Sequence, residues 1–352
     1  MSSRGIPTVV IFHIGSIGDT VVMLPCLHAI ARQYPGHRRI LLTNNPDSAR
    51  ASSAESVLDG SGLIDGAEYF PPRLASFRAA GSLIRRLRAS GAATLVYLVP
   101  RTSMRQVHRD RLFFRLGGIR EFIGMPVGAA DLDRRLEADG RVEPEAQFLA
   151  RSLSQHLPVD LGAANWSLNL SSREMAVDAL LSALPGGQPI VALCPGAKWV
   201  SKDWGEDRWA ELVRRLDPHA RHLSLILVGA ADERELSQRI LHRWQGPALN
   251  LCGALTPRQT AGVLRRCDLL VCHDSGPMHL AATQGTRCVA LFGNRNKPRQ
   301  WYPWGNQHRI FHEPRGVTHI SVDSVAAAVM ETIGEAGARG RPRQAQHLQV
   351  VR

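Results

Sequence analysis

Val9-Val10-Ile11-Phe12-His13-Ile14-Gly15-Ser16-Ile17-Gly18-Asp19 sets a β-rich apolar run against a glycine turn and a helix start. Val9 to Ile14 predicts a buried strand. Gly15 and Gly18 allow a tight turn and close approach by a ligand. A helical stretch follows to about Tyr34, with Pro25 inside it as a kink or as the true start. The second half repeats this pattern: Ile190-Val191-Ala192-Leu193-Cys194 predicts a strand that ends in Pro195-Gly196-Ala197.

Outward from these two runs, strands and helices alternate. Ile40–Thr43 and Ala93–Val99 read as the second and third strands, with a helix over Leu83–Arg88. Residues 101–151 read as irregular and Arg-rich, with a helix from Glu143 to His156. A linker is placed at Ser172–Gln188, around Pro185-Gly186-Gly187. Beyond it, a helix begins at Glu206-Asp207, acids suited to its positive end, and carries the stripe Trp209, Leu212, Val213, Leu216. Leu223–Val228, Leu269–Cys272 and Arg287–Phe292 read as strands. Thr256-Pro257-Arg258-Gln259 is a helix start with Thr as N-cap, Pro at the first position and Gln as capping-box partner. This alternation predicts an α/β chain of two Rossmann-like, doubly wound parallel-sheet domains facing a central cleft. The expected boundaries are 1–175 and 186–334, with a basic tail at 335–352 whose composition predicts disorder.

The 352 residues fit two domains at ~150 residues each. With 44% apolar and 21% charged residues the composition is globular, and no apolar run approaches the ~18 residues of a membrane span. The N-terminus shows no secretion-signal pattern. Six cysteines without a Cys-x-x-Cys pair point to neither a disulfide scaffold nor structural zinc. The net charge of +12 admits nucleic acid, an anionic membrane surface or a phosphorylated substrate as partner. With 6% aromatics and no nucleic-acid-binding signature, nucleic acid is the weakest of these. Only Lys198, Lys202 and Lys297 among the 43 basic residues are lysine, so the pair Lys198 and Lys202, four positions apart, reflects either a specific need for compact ammonium groups or chance.

Four strand-end runs can carry chemistry. Asp19 is either a general base or a helix-start acid complementing the dipole. Pro195-Gly196-Ala197-Lys198, continuing to Lys202 and Trp204, suits an anion held by backbone N–H groups and ammonium groups, with a solvated Lys202 as the bland reading. His273-Asp274-Ser275-Gly276-Pro277-Met278-His279 opens a helix whose bare N–H groups suit a phosphate, while Asp274 can accept from sugar hydroxyls. Gly229-Ala230-Ala231-Asp232-Glu233 suits ribose hydroxyls or a plain solvated first turn. Asp131-Leu132-Asp133 matches the Asp-x-Asp pattern of metal-dependent sugar transferases but follows no clear strand.

Taken in order, Gly-x-x-Gly-Asp, Pro-Gly-Ala…Lys-x-Trp, Asp-Ser-Gly-Pro-Met-His and Leu-Phe-Gly resemble glycosyltransferase family 9, the heptosyltransferases of lipopolysaccharide biosynthesis, over roughly residues 8–305. The resemblance implies a GT-B fold and inverting, metal-independent transfer of heptose from ADP-heptose to a lipopolysaccharide core or related surface glycan. By position it makes Asp19 the catalytic base beside the glycine turn of Gly15 and Gly18. Lys202, with Lys198, Ser275, Gly276 and His279, matches the diphosphate site. Asp274 matches the residue that binds the heptose. Glu233 and Leu255 match the ribose and adenine contacts. It implies no cofactor, no metal, an anionic glycolipid acceptor, and a cytoplasmic enzyme with peripheral contact to the anionic inner membrane as an open reading; the Arg-rich segment including Arg101, Arg105, Arg109 and Arg120 suits such an acceptor, an anionic membrane surface or a plain solvated face. The family pattern has Pro after the tryptophan where this chain has Gly205, and the loop Asn294-Arg295-Asn296-Lys297 is more basic than the Ser/Thr-rich turn expected there. Alternative readings are the same chemistry on another acceptor or nucleotide sugar, a GT-B-like nucleotide-sugar epimerase, and a basic binding protein for anionic glycan or nucleic acid.

Overall fold

The structure is a computed structural model that describes residues 6–44, 52–70 and 77–339. The chain forms two compact units. The first runs to Ala176 and takes in the later segments Thr256–Ala261 and Asn296–Trp304; the second holds the remainder.

Unit 1 is built on a five-stranded parallel sheet of order β3-β2-β1-β4-β5. Its strands are β1 Thr8–His13, β2 Arg38–Asn44, β3 Gly66–Phe70, β4 Thr94–Leu98 and β5 Glu121–Ile123. All of β1 is buried, as expected of a central parallel strand covered on both faces. Its helices are α1 Ile17–Val22, α2 Leu24–Gln33, α3 Ala54–Leu58, α4 Phe77–Ala89, α5 Met104–Leu116, α6 Glu145–Leu153 and α7 Ser172–Met175. Leu83 and Leu87 of α4 and Val107 and Phe114 of α5 pack over Val10, Phe12, Leu95 and Tyr97 of the sheet. Pro25 marks a start rather than a kink. The helix is interrupted at Met23, which ends α1 and caps α2, and Pro25 occupies the first turn of α2, where its missing N–H costs nothing.

Unit 2 carries α8 Asp178–Leu181, β6 Ile190–Cys194, α9 Glu206–Leu216, β7 Ser224–Leu227, α10 Arg234–Leu241 and β8 Ala248–Asn250. It continues with α11 Pro257–Leu264, whose first residues group with unit 1, then β9 Leu269–His273, α12 Gly276–Thr283, β10 Arg287–Phe292, β11 Arg309–His312 and α13 Val322–Arg339. The six parallel strands are ordered β11-β10-β9-β6-β7-β8. The α9 stripe Trp209, Leu212, Val213 and Leu216 is fully buried against Val191, Leu193, Leu225 and Leu227. Thr256 and Gln259 make the reciprocal capping box at α11, Thr256 N donating to Gln259 Oε1 at 3.0 Å and Gln259 N to Thr256 Oγ1 at 3.2 Å.

Three expectations differ from the structure. Residues 101–151 are not irregular throughout, since they hold the 13-residue α5 as well as β5. The third strand in chain order is Gly66–Phe70, an edge strand that has no fully buried residue and therefore no apolar run to betray it. The last helix continues through Arg339, so the first residues of the stretch read as a tail are helical, and 340–352 lie outside the described residues.

Candidate active site

In both sheets the strand order reverses between two neighbours, β1 and β4 in unit 1 and β6 and β9 in unit 2. Loops leaving such strands diverge to opposite faces and open a crevice at the carboxyl ends. Three of the four runs singled out above leave these strands: Gly15–Asp19 from β1, Pro195–Lys202 from β6, and Asp274–His279 from β9; Gly229–Glu233 follows β7, the next strand beyond β6.

In unit 1, Asp19 lies in the first turn of α1. Its Oδ2 accepts from Ser16 N at 2.8 Å and Ser16 Oγ at 3.0 Å. The carboxylate is thus held by the helix start, and this contact occupies one of its two oxygens. Gly15 is required by close approach, because a Cβ there would sit 2.2 Å from Asp19 Cβ. Gly15 N donates to Asn44 Oδ1 at the end of β2, 2.9 Å away, and Gly18 is the second residue of α1. His13, 2% exposed at the end of β1, was not singled out by sequence reasoning. Its Nδ1 lies 3.3 Å from Leu98 O of β4, and its buried Nε2 has no hydrogen-bond partner among the described residues. Burial pushes the imidazole below its ordinary value, against the opposing pull of the Asp19 carboxylate and the Leu98 carbonyl.

In unit 2, Lys202 and Asp274, 72 positions apart, are brought together. Lys202 Nζ reaches Asp274 Oδ2 at 2.5 Å and Asp274 O at 3.3 Å. Asp274 immediately precedes Ser275, the N-cap of α12, so an ammonium group and the positive end of a helix converge at one strand end. Ser275 Oγ is buried there without a partner among the described residues, and Gly276 opens the helix. Across β6 and β7, Glu233 lies over the strand ends: a Cβ at Gly196 would meet its carboxyl at 1.9 Å, and one at Gly229 would meet Oε2 at 2.2 Å. Both glycines are therefore needed for the carboxylate to pass. Glu233 Oε2 also accepts from Ala230 N at 2.8 Å.

His273 holds this constellation in place. Trp204 N–H donates to Nε2 at 3.0 Å, so Nε2 carries no proton and Nδ1–H faces Gly196 O at 3.3 Å. One neutral imidazole thereby ties the loops after β6 to the end of β9. Its pKa is pushed down to about 4, first by burial, against pulls upward from Gly196 O, Asp203 and Asp274. The sign follows: between pH 6.5 and about 4 the unfolded chain takes up a proton here and the folded chain does not. This contribution is full above pH 6.5 and about 3 kcal/mol is lost as the pH falls to about 4. Urea midpoints at the two ends of that range should differ accordingly, and His273→Gln should flatten the slope; a pH-independent midpoint contradicts the assignment.

The remaining candidates stand apart. Lys198 is exposed, with Nζ 5.9 Å from the Trp199 ring centroid, and does not join the Lys202–Asp274 pair. His279 is 3% exposed on α12, and Leu255 is half-buried just before the Thr256 cap. Trp204 is a core residue, fully buried with Nε1 donating to Ile320 O. Gly205 has φ +95°, a left-handed backbone that proline cannot adopt, which accounts for the departure from the Trp-Pro pattern. Arg101 is not a free surface cation but pairs with the buried Asp110 at 2.6 Å and meets Tyr97 Oη at 3.0 Å. Asp131 caps its own turn by accepting from Val127 N and Gly128 N. No group of three or more His, Cys, Asp or Glu able to hold a metal ion occurs among the described residues.

The family model of glycosyltransferase family 9 (heptosyltransferase) matches residues 127–323, more than half of the chain. The lipooligosaccharide heptosyltransferase 2 of Campylobacter jejuni is 34% identical over 129 residues, which cover 36% of this chain and 40% of that protein. The lipopolysaccharide heptosyltransferase 2 of Escherichia coli is 30% identical over 131 residues, 36% and 37% of the two chains. The chain thus spans about two fifths of the length of the curated relatives it matches. Among solved structures, a family 9 glycosyl transferase from Veillonella parvula aligns with TM-score 0.70 at 17% identity, covering 95% of this chain and 99% of that one. The ADP-heptose lipopolysaccharide heptosyltransferase II of E. coli aligns with TM-score 0.68 at 20% identity, covering 94% and 99%. At such identities the likeness establishes the fold, which is GT-B.

Proposed function

The chain belongs to glycosyltransferase family 9, and from that membership we propose that it transfers heptose from ADP-heptose to a lipopolysaccharide-core or related surface-glycan acceptor, with inversion and without a metal. The observation that carries the reading is the meeting of Lys202, Asp274 and the start of α12 at the end of β9. Transfer breaks the bond between the anomeric carbon and the diphosphate, and the electron pair leaves with the diphosphate oxygen. An ammonium group and a helix N-terminus, fixed before the reaction, stabilise charge developing there. In this reading Lys202 exchanges Asp274 for the diphosphate, and Asp274 turns to the heptose hydroxyls. Ser275 Oγ and the Gly276 N–H face the phosphate oxygens, and Glu233 takes the ribose. By their place in the family pattern Lys198 and His279 are assigned to the diphosphate and Leu255 to the adenine, although none of the three joins the Lys202–Asp274 pair.

Asp19 serves as base. It takes the proton of the acceptor hydroxyl as that oxygen attacks the anomeric carbon from the face opposite ADP. Its oxygen not engaged by Ser16 is the one available for the proton. The reaction takes place at the cytoplasmic face of the inner membrane, where a soluble nucleotide sugar meets a lipid-linked acceptor.

The test is a thermal-shift and calorimetric panel of ADP, UDP, GDP, CMP and ADP-heptose. The expected result is selective stabilisation by ADP and ADP-heptose. Loss of a charge-assisted contact in Lys202→Ala should weaken ADP binding by about tenfold or more. Preference for UDP or GDP would overturn the heptose assignment while leaving the fold untouched.

A further inference from the structure

The charge of this chain is concentrated. Residues 77–120 hold ten arginines and one aspartate, a local excess of nine within a total of +12. The aspartate is Asp110, buried and paired with Arg101 and Arg109, so it shows little negative charge to solvent. The outward face of α5 consists of Arg105, His108, Arg109, Leu112, Arg115 and Leu116, all exposed. At 100° per residue these positions fall within one stripe about 120° wide, and no acid lies on it. Leu112, 62% exposed, lies on its midline and Leu116, 48% exposed, about 40° from it with Arg105 between them; His108 and Arg115 form one flank and Arg109 the other. The surface continues onto α4, where Arg85 and Arg88 are exposed and Arg88 Nε donates to Leu116 O at 2.8 Å, while the neighbouring Arg86 is paired with Glu68 at 2.9 Å.

We propose that the α5 face, extended by the end of α4, docks unit 1 onto a bilayer surface of anionic phospholipid, with Leu112 and Leu116 entering the headgroup boundary. A surface helix of a freely soluble domain interleaves both signs of charge; this one presents cations around two leucines. Cations alone would suit any polyanion. The leucines select the lipid, because a phosphorylated sugar or a polyanion chain offers nothing apolar to bury them. An arginine-flanked apolar stripe lying flat in the interface meets both demands. The docking does not depend on which sugar is transferred.

The full chain should co-sediment with vesicles of phosphatidylcholine containing phosphatidylglycerol, and not with phosphatidylcholine alone. Leu112→Ser combined with Leu116→Ser should weaken retention by about tenfold. Arg115→Glu, a change of two charges at the surface, should weaken it by roughly thirtyfold. All of these residues are exposed, so melting temperature and the response to ADP should match the parent. Val200→Ser, at the 93% exposed Val200 of unit 2, should leave retention unchanged. Absence of retention on phosphatidylglycerol vesicles overturns the proposal. So does retention that survives both α5 variants, or that falls with Val200→Ser alone. Equal binding of polyphosphate by the parent and the leucine variant, with vesicle retention also unchanged, would make the face a general anion site and overturn the lipid assignment.

Discussion

Asp19→Asn is expected to lower transfer turnover by about 10²–10⁴-fold while ADP binding stays within about twofold of the parent. The asparagine separates two roles that alanine would remove together. Asp19 Oδ2 accepts from Ser16 N and Oγ, so the carboxylate is a helix-start acceptor as well as the proposed base. An amide oxygen keeps the acceptor and cannot take a proton at neutral pH. Asp19→Ala also loses the cap, at a cost of about 1 kcal/mol to the start of α1. Equal losses of turnover in both variants, with a lower melting temperature for alanine only, would assign the kinetic effect to the base. If Asp19→Asn keeps more than about a tenth of the parent turnover, the proton is taken elsewhere and Asp19 is a structural acid.

Arg258→Met should be the most destabilising single change, costing about 3–5 kcal/mol. Arg258 is 3% exposed. Its Nε and Nη2 reach Glu174 at 2.5 and 3.0 Å, Nη1 reaches Val57 O and Leu168 O, and Nη2 reaches Asn169 O. Methionine fills much of the volume but strands a carboxylate and three carbonyls. Burial pushes the Glu174 carboxyl up, but Arg258 and the Ser171 N–H and Oγ outweigh it and hold it at about 2. Its contribution is therefore full above the unfolded value of 4.5 and fades only as the pH falls towards about 2. A fall in melting temperature of roughly 10 °C is expected for Arg258→Met. Arg258→Met combined with Glu174→Gln should recover part of it, since the stranded charge is then gone. A melting temperature within about 2 °C of the parent would show that solvent replaces these contacts.

The sequence by itself determined what depends on near neighbours. The apolar runs of β1, β6 and β9, the glycines that close them, the α9 stripe and the Thr256 capping box all follow from periodicity and turn chemistry over a few residues. Their order was enough to imply two parallel sheets and to place the candidate residues at strand ends. Elements whose burial is partial left no such trace. β3 and β11 are edge strands without a fully buried residue, and the core-facing side of α5 includes the charged Asp110. Only the tertiary structure decided which groups meet. Lys202 reaches Asp274 because β6 and β9 are neighbours across the reversal of strand order. Arg258, read in sequence as one residue of a helix start, is a buried hub because residues from 57 to 174 surround it. His273 is a neutral brace because Trp204 N–H happens to face its Nε2. Local patterns act over one or two turns of chain, whereas ion pairs, tautomers and desolvation are properties of surroundings assembled from distant segments by sheet order.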